Sequence, residues 1–104
     1  MLIQPRRFRS YQFVVKGEYS NAHITGYVSA SGGGDDIYMM IVDDQGLREF
    51  SDRNGSSSYF KSKVLNSKNV NVGLAPGVYH VIFSNTHARF FAKQVEAKLF
   101  LEFD

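Results

Sequence analysis

At 104 residues, 43% of them hydrophobic and 14% aromatic, the chain is large enough for one packed core and too short for two domains. Twelve basic and ten acidic residues nearly cancel, to a formal net charge of +2, which argues against a nucleic-acid partner. The absence of cysteine excludes disulfides, and no apolar run approaches the length of a membrane span. We expect one soluble domain over residues 1–104, in a compartment that the composition leaves open.

Apolar residues alternate with polar ones along most of the chain, and turn residues separate the alternating segments. No window keeps a helical period, so the sequence predicts an all-β protein. The segment 37–42 is apolar on both faces and should lie centrally in a sheet, whereas 94–103 alternates as a half-buried antiparallel strand does. Segment 43–58 is polar and is predicted to be irregular, with turns around Leu47 and Phe50. The predicted strands cover about residues 11–15, 24–30, 37–42, 59–64, 70–74, 78–84 and 94–103, and residues 2–3 could add an eighth.

Short strands with closely spaced turns predict two packed sheets, because one open sheet would leave a face of Phe and Tyr side chains in water. The expected fold is an all-β, two-sheet antiparallel β-sandwich of seven or eight strands that resembles a jelly roll. Alternation within each segment assigns the inward-facing residues. The predicted core is Phe13, Val28, Met39, Ile41, Val72, Val81, Phe83, Leu99 and Leu101.

Aspartates near turns raise the question of a calcium site, since carboxylates and loop carbonyls are the ligands that this ion prefers. Asp36 and Asp43, however, flank a strand of about seven residues, which separates them by about 20 Å at roughly 3.3 Å per residue. They cannot share one ion. Solvated turn carboxylates are therefore the better interpretation, and no metal or other cofactor is predicted. The aspartates are Asp35, Asp36, Asp43, Asp44 and Asp52.

The main indication of catalysis is a serine close in sequence to two histidines, since these residue types could act as nucleophile and base. His80 and His87 could approach each other beside Ser84, but the chain has no Gly-x-Ser-x-Gly motif and no strand-to-helix turn to expose the serine. With His23 included, the histidines still lack a zinc-binding spacing. The glycine run 32–34 precedes a predicted strand instead of a helix, so it is interpreted as a hairpin connection and not as a phosphate loop. Hydrolysis is kept as a minor alternative, and the protein is predicted not to be an enzyme.

Segments in the last third of the chain resemble the C-terminal signature of the GOLD (Golgi dynamics) domain family. Pro76-Gly77-Val78-Tyr79 is similar to the turn that leads into a strand there, Phe83-Ser84-Asn85 to the corner, and Lys93-Gln94-Val95 to the start of the closing strand. The resemblance implies a β-sandwich that recognises other proteins. Thr86-His87-Ala88 departs from the aromatic and serine that many members carry after the corner asparagine. With no disulfide, coiled coil or membrane span, the chain is closest in character to isolated or bacterial uncharacterised members.

Loops on a rigid sandwich are where such folds place recognition, so we expect a non-catalytic protein-interaction or scaffold module with a protein partner. The predicted contact surfaces are 84–93 and 43–58. Asn85 and Lys93 are predicted to be structural, with the Asn85 side chain bonded to neighbouring backbone amides. The predicted partner-binding residues are Phe50, His87, Arg89, Phe90 and Phe91.

Carbohydrate or lipid binding through a sheet face is the alternative function. This alternative requires Tyr27, Tyr38 and Tyr59 to be exposed together on one surface.

Self-association through a sheet edge is a further expectation. An edge strand carries unpaired backbone groups that charged residues normally guard. The first strand has Arg9 and Lys16 only at its ends, so it could form a homodimer and bury Phe8 between the chains. The fourth strand carries Lys61 and Lys63 within it and should be guarded.

Overall fold

The computed structural model describes residues 1–34, 36–51, 58–88 and 90–104, and these form eight strands and one helix. The alternating segments are strands as predicted, including the short strand at residues 2–3. The all-β assignment is therefore confirmed. The elements are β1 (Leu2–Ile3), β2 (Phe8–Val15), β3 (His23–Ser31), β4 (Asp36–Asp43), α1 (Asp44–Ser51), β5 (Phe60–Leu65), β6 (Ser67–Gly73), β7 (Gly77–Ser84) and β8 (Lys93–Glu102).

The strands form two four-stranded sheets that pack face to face. The first sheet has the order β1-β8-β3-β6 and the second the order β2-β7-β4-β5. Every neighbouring pair is antiparallel. The predicted two-sheet antiparallel sandwich is confirmed, and β4, which is apolar on both faces, lies inside its sheet between β7 and β5 as expected.

The core lies between the two sheets and is formed by the inward face of each strand. Of the predicted core residues, five are buried and four are half-buried against the core. The alternation therefore identified the inward face correctly in the six strands that supplied the predicted core, β2, β3, β4, β6, β7 and β8. The buried five are Val28, Met39, Ile41, Val81 and Phe83, and the half-buried four are Phe13, Val72, Leu99 and Leu101.

Helix α1 replaces the first half of the segment that was predicted to be irregular, so that prediction was wrong. The helix begins after Asp43, whose Oδ1 accepts a hydrogen bond from the Gly46 backbone N–H at 2.8 Å. This bond satisfies one of the amides that a helix leaves unpaired at its first turn. The remaining calls between residues 52 and 57, Asp52 among them, lie outside the described residues.

A second, smaller apolar cluster holds α1 against the outer face of the second sheet. Leu47 and Phe50, three positions apart, lie on one side of the helix and pack on that sheet. The Phe50 ring meets Phe8 edge to face, with 4.9 Å between the ring centroids. Both faces of β4 are buried for this reason. The sheet side of the cluster is Met40, Val42 and Ile82.

Within the described part of the chain, no helix has both the length and the apolar character needed to cross a bilayer.

Candidate functional site

The loop 85–92 between β7 and β8, here called the corner loop, lies against the glycine turn 32–34 between β3 and β4. Gly33 has a φ of 38°, and a Cβ built on it would lie 2.2 Å from the Phe91 Cβ. A Cβ on Gly32 would lie 2.9 Å from the Ala92 carbonyl oxygen. The glycine run is therefore the surface on which the corner loop sits, because any side chain there would push the loop away.

Asn85 fixes the start of the corner loop. Its side chain is fully buried, and its Nδ2 donates hydrogen bonds to the carbonyl oxygens of Ile3 at 3.1 Å and Phe91 at 2.9 Å. Its backbone N–H donates to Arg7 at 2.8 Å, and its carbonyl accepts from Ala88 at 3.2 Å. The side-chain bonds thus go to backbone carbonyls, whereas the sequence predicted backbone amides as partners. Asn85 joins the N-terminal arm to both halves of the loop.

Lys93 fixes the end of the corner loop through a buried ion pair. Its side chain is 2% exposed, and its Nζ donates to Asp36 Oδ1 at 2.6 Å and to the Gly33 carbonyl at 2.9 Å. A buried ammonium needs such a partner, since an isolated one would lose several kcal/mol of hydration. The bond to Gly33 holds the glycine turn in place under the loop.

Three basic side chains, those of Lys93, His87 and Lys63, lie around the Asp36 carboxylate. In addition to Lys93, His87 Nε2 lies 3.2 Å and Lys63 Nζ 3.6 Å from its Oδ2. Burial by itself raises the pKa of this carboxyl, but the hydrogen bond and charge of Lys93, with the charges of His87 and Lys63, outweigh it and lower the pKa. His87 is also held by Tyr38, whose ring it meets edge to face at 5.0 Å.

The tip of the corner loop presents two aromatic side chains to solvent. Phe90 is 82% exposed and Phe91 is 61% exposed, although both belong to a loop whose two ends are anchored. Aromatic rings of this size bury a large apolar area when a partner covers them. Arg89, the remaining predicted contact residue of the loop, lies outside the described residues.

Phe50, the fifth predicted contact residue, lies elsewhere. It is half-buried between α1 and the outer face of the second sheet, against Phe8. Its ring therefore stabilises the helix on the sheet, and the structure does not bring it together with Phe90 and Phe91.

The histidines imagined as a catalytic pair are separated by the length of β4. His80 Nε2 lies 2.6 Å from Asp44 Oδ1, just beyond the end of β4, whereas His87 binds Asp36 at its start. Ser84 Oγ shares a hydrogen bond with Thr86 Oγ1 at 2.8 Å. Among the described residues, no hydrogen bond links this serine to either histidine, and the structure does not bring the two histidines together.

The tyrosines of the alternative function do not share a surface. Tyr27 belongs to β3 in the first sheet and Tyr38 to β4 in the second, where both occupy positions that alternate with core residues. They point outward from opposite faces of the sandwich. Tyr59 packs edge to face on Tyr79, at 5.2 Å between ring centroids.

The ion pair of Lys93 with Asp36 is the feature that sequence reasoning missed. The signal was present, because Lys93 continues the period-two series of Val95, Ala97 and Leu99 and therefore belongs to the inward face. A lysine on that face requires a buried anion, and Asp36 follows the glycine turn beside it.

Neither the family models nor the curated proteins include a match to this chain.

Proposed function

We propose that the protein is a non-catalytic protein-interaction module that binds its partner with the tip of the corner loop. One observation carries the proposal: Phe90 and Phe91 are exposed at the tip of a loop whose ends are held by the buried side chains of Asn85 and Lys93. Aromatic anchors on a pre-ordered loop lose little conformational entropy when a partner covers them. His87, half-exposed beside Asp36, would form the polar rim of the same surface.

A capture experiment from extracts of the native cells tests this proposal. The immobilised protein is compared with the double variant Phe90→Ser/Phe91→Ser and with the control Tyr59→Ser. Tyr59 is 56% exposed, nearly as exposed as Phe91, but lies beside Asp43 at the opposite end of β4 from the corner. We expect the double variant to lose specific partners that the control retains. Equal capture by all three proteins would refute the proposal.

The GOLD resemblance supports the same proposal. The residues that carry it in the last strand pair, Asn85 and Lys93, are the two anchors of the corner loop. We therefore propose that the chain is a GOLD-like domain, for which recognition of proteins is the implied role. Members would be expected to share the buried Lys–Asp pair under the loop.

We interpret the strand order as a jelly roll. The antiparallel pairs β1 with β8, β2 with β7, β3 with β6 and β4 with β5 are those of one long hairpin rolled into a sandwich. Jelly rolls serve in capsids, lectins and enzymes, so the fold alone favours no ligand. The argument for protein binding therefore depends on the corner loop.

We also propose a homodimer through β2, which forms an edge of the second sheet. Between Arg9 and Lys16 this strand has no charged residue, and Ser10, Gln12 and Val14 are exposed along it. β1 pairs with β8 in the other sheet and leaves that edge uncovered. Phe8, however, packs on Phe50 of its own chain, so the expected burial of Phe8 between two chains has no support in the structure.

A further inference from the structure

A notch one strand wide lies beside β8. This strand has ten residues, but its neighbour β1 has only two and pairs with Lys93 and Gln94. The pairing ends at Val95, whose N–H donates to the Met1 carbonyl at 2.7 Å and whose carbonyl accepts from the Met1 amino group at 2.6 Å. From Glu96 to Glu102, no described strand lies on this side of β8.

The notch exposes backbone groups that a further strand could pair. In an antiparallel ladder, alternate residues turn their N–H and C=O to the same side. Val95 turns both groups toward β1, so Ala97, Leu99 and Leu101 turn theirs into the notch, while the residues between them bond β3. The notch therefore offers three donors and three acceptors in one row.

An apolar groove of about 420 Å³ runs under this row, between the two sheets. One wall belongs to β8 and the other to β2 and β7. Leu99, Leu101, Phe13 and Tyr11 are only half-buried or exposed although they point between the sheets, because no strand covers the groove. Its main apolar lining is Tyr11, Phe13, Val81, Phe83, Leu99 and Leu101.

The depth of the notch determines what can occupy it. Strand β2 is the edge strand of the second sheet and faces β1 across the space between the two sheets, because Tyr11 Oη of β2 lies 3.4 Å from Met1 Sδ, next to β1. A second sandwich that paired its own β8 here would have to place its other sheet where β2 already lies. Strands in a sheet are about 4.8 Å apart, so the space fits a single extended segment.

We propose that the notch binds one extended peptide segment of a partner protein, antiparallel to β8 and in line with β1. Its alternate residues would be apolar and would fill the groove, which is the pattern of recognition by strand addition. The rim favours certain residues at the positions between them, because Glu96, Lys98, Phe100 and Glu102 face outward along β8. On the β3 side, Glu96 also accepts a hydrogen bond from Tyr27 Oη at 3.2 Å, and Glu102 Oε2 lies 3.3 Å from His23 Nε2. A basic residue fits opposite each glutamate, an acidic one opposite Lys98 and an aromatic one opposite Phe100.

This site is separate from the corner loop, and a designed peptide tests it. The probe is fluorescein-labelled Lys-Val-Tyr-Val-Glu-Val-Lys, whose order follows β8 from Glu102 back to Glu96. Its controls are the charge-reversed Glu-Val-Tyr-Val-Lys-Val-Glu and the probe with an N-methyl group on the central Val. We expect saturable binding by fluorescence anisotropy, weakened several-fold by charge reversal and at least about tenfold by N-methylation, which removes a ladder hydrogen bond.

Protein variants locate the binding. Ala97→Pro removes a backbone N–H that faces the notch. The control Ser10→Pro removes a backbone N–H from the outer edge of β2. Arg7 turns its carbonyl toward Asn85, so every second residue after Arg7 turns its backbone groups toward β7, and Ser10, which lies between two of these residues, turns its own outward. We expect Ala97→Pro to weaken binding at least about tenfold and Ser10→Pro to leave it unchanged.

Amide hydrogen exchange on the unmodified protein gives a readout that does not depend on a variant's folding. The probe should slow exchange at Ala97, Leu99 and Leu101. No saturation up to about 1 mM probe, or equal binding of the N-methylated peptide, would overturn the proposal. Protection that appears elsewhere and spares these three amides would also overturn it.

Discussion

Asp36 is the residue on which the order of the corner depends, because it neutralises the buried ammonium of Lys93 and also binds His87. Removing one partner of a buried ion pair leaves the other charge without compensation. Asp36, at the start of β4, thus stabilises a loop that begins about fifty residues later in the sequence. The conformation of the corner loop therefore depends on contacts between residues that are distant in the sequence.

The lowered pKa of Asp36 predicts a specific loss of stability in acid. Between its folded pKa and the ordinary value of about 3.9, the unfolded chain binds more protons than the folded one, so the free energy of unfolding rises with pH there. The contribution is complete above about pH 4 and is lost as the pH falls through the folded pKa. We expect urea denaturation to show this slope in the wild type and a flatter one in Asp36→Asn. Parallel pH profiles for the two proteins would contradict the assignment.

Asn85 should be needed for stability, because its side chain donates two buried hydrogen bonds that span the loop and the N-terminal arm. Asn85→Ala leaves the Ile3 and Phe91 carbonyls without these donors, and we expect a loss of about 1 to 3 kcal/mol in the free energy of unfolding. Thr86→Ala is the control, since Thr86 is exposed and, among the described residues, its hydrogen bonds go to the neighbouring Ser84. An unchanged denaturation midpoint in Asn85→Ala would show that the two bonds do not matter.

At the scale of elements, the strands were predictable and the helix was not. A strand of six to ten residues repeats its alternation three or more times, so the pattern outweighs accidental matches. Helix α1 has eight residues, includes Gly46 and offers only Leu47 and Phe50 as apolar positions, so its period has too few repeats to detect. The outer apolar face of β4 was a further signal, because something had to cover Met40 and Val42.

Only part of the candidate site could be predicted from the sequence. The position of the corner loop was predictable, because turn residues and the two flanking strands determine where a loop lies. The buried pair of Lys93 with Asp36 depends on which loops meet across the sandwich, and alternation along one strand carries no information about that.

The N-terminal cap of α1 gives a prediction for that element. Asp43→Ala removes the acceptor for the Gly46 amide and for the Tyr59 hydroxyl, which lies 3.3 Å from Asp43 Oδ2. Loss of a helix cap costs about 0.5 to 2 kcal/mol, so we expect a fall of this size in the free energy of unfolding. Asp43→Asn keeps an acceptor and should recover most of it. If Asp43→Ala unfolds at the same urea concentration as the wild type, the cap has no energetic role.

At the scale of the whole molecule, the two sheets end in different ways. The second sheet ends in β2, an eight-residue strand with no charged residue after Arg9, whereas the first has only two residues of β1 beside β8. An open edge of this kind is a surface for pairing with another chain. The long edge suits a second sandwich, and the notch suits a single strand.

Light scattering at micromolar concentration should therefore detect a dimer of the 11.8 kDa chain. Ser10→Lys places a charge on the outer edge of β2 and should yield a monomer. Ser67→Lys, at the edge of the first sheet on β6, should remain dimeric. A monomeric wild type would remove the dimer and leave the corner loop and the notch as the proposed routes to a partner.

Photo-crosslinking from the corner loop tests the proposed function most directly. A benzophenone amino acid replaces Phe90 in one preparation and the exposed but remote Tyr59 in another, and both are irradiated in extracts of the native cells. Phe90 and Tyr59 are 82% and 56% exposed, so both probes reach solvent. We predict discrete protein adducts from position 90 that are absent from position 59. Adducts that form equally from both positions, or only from position 59, would contradict recognition through the corner loop.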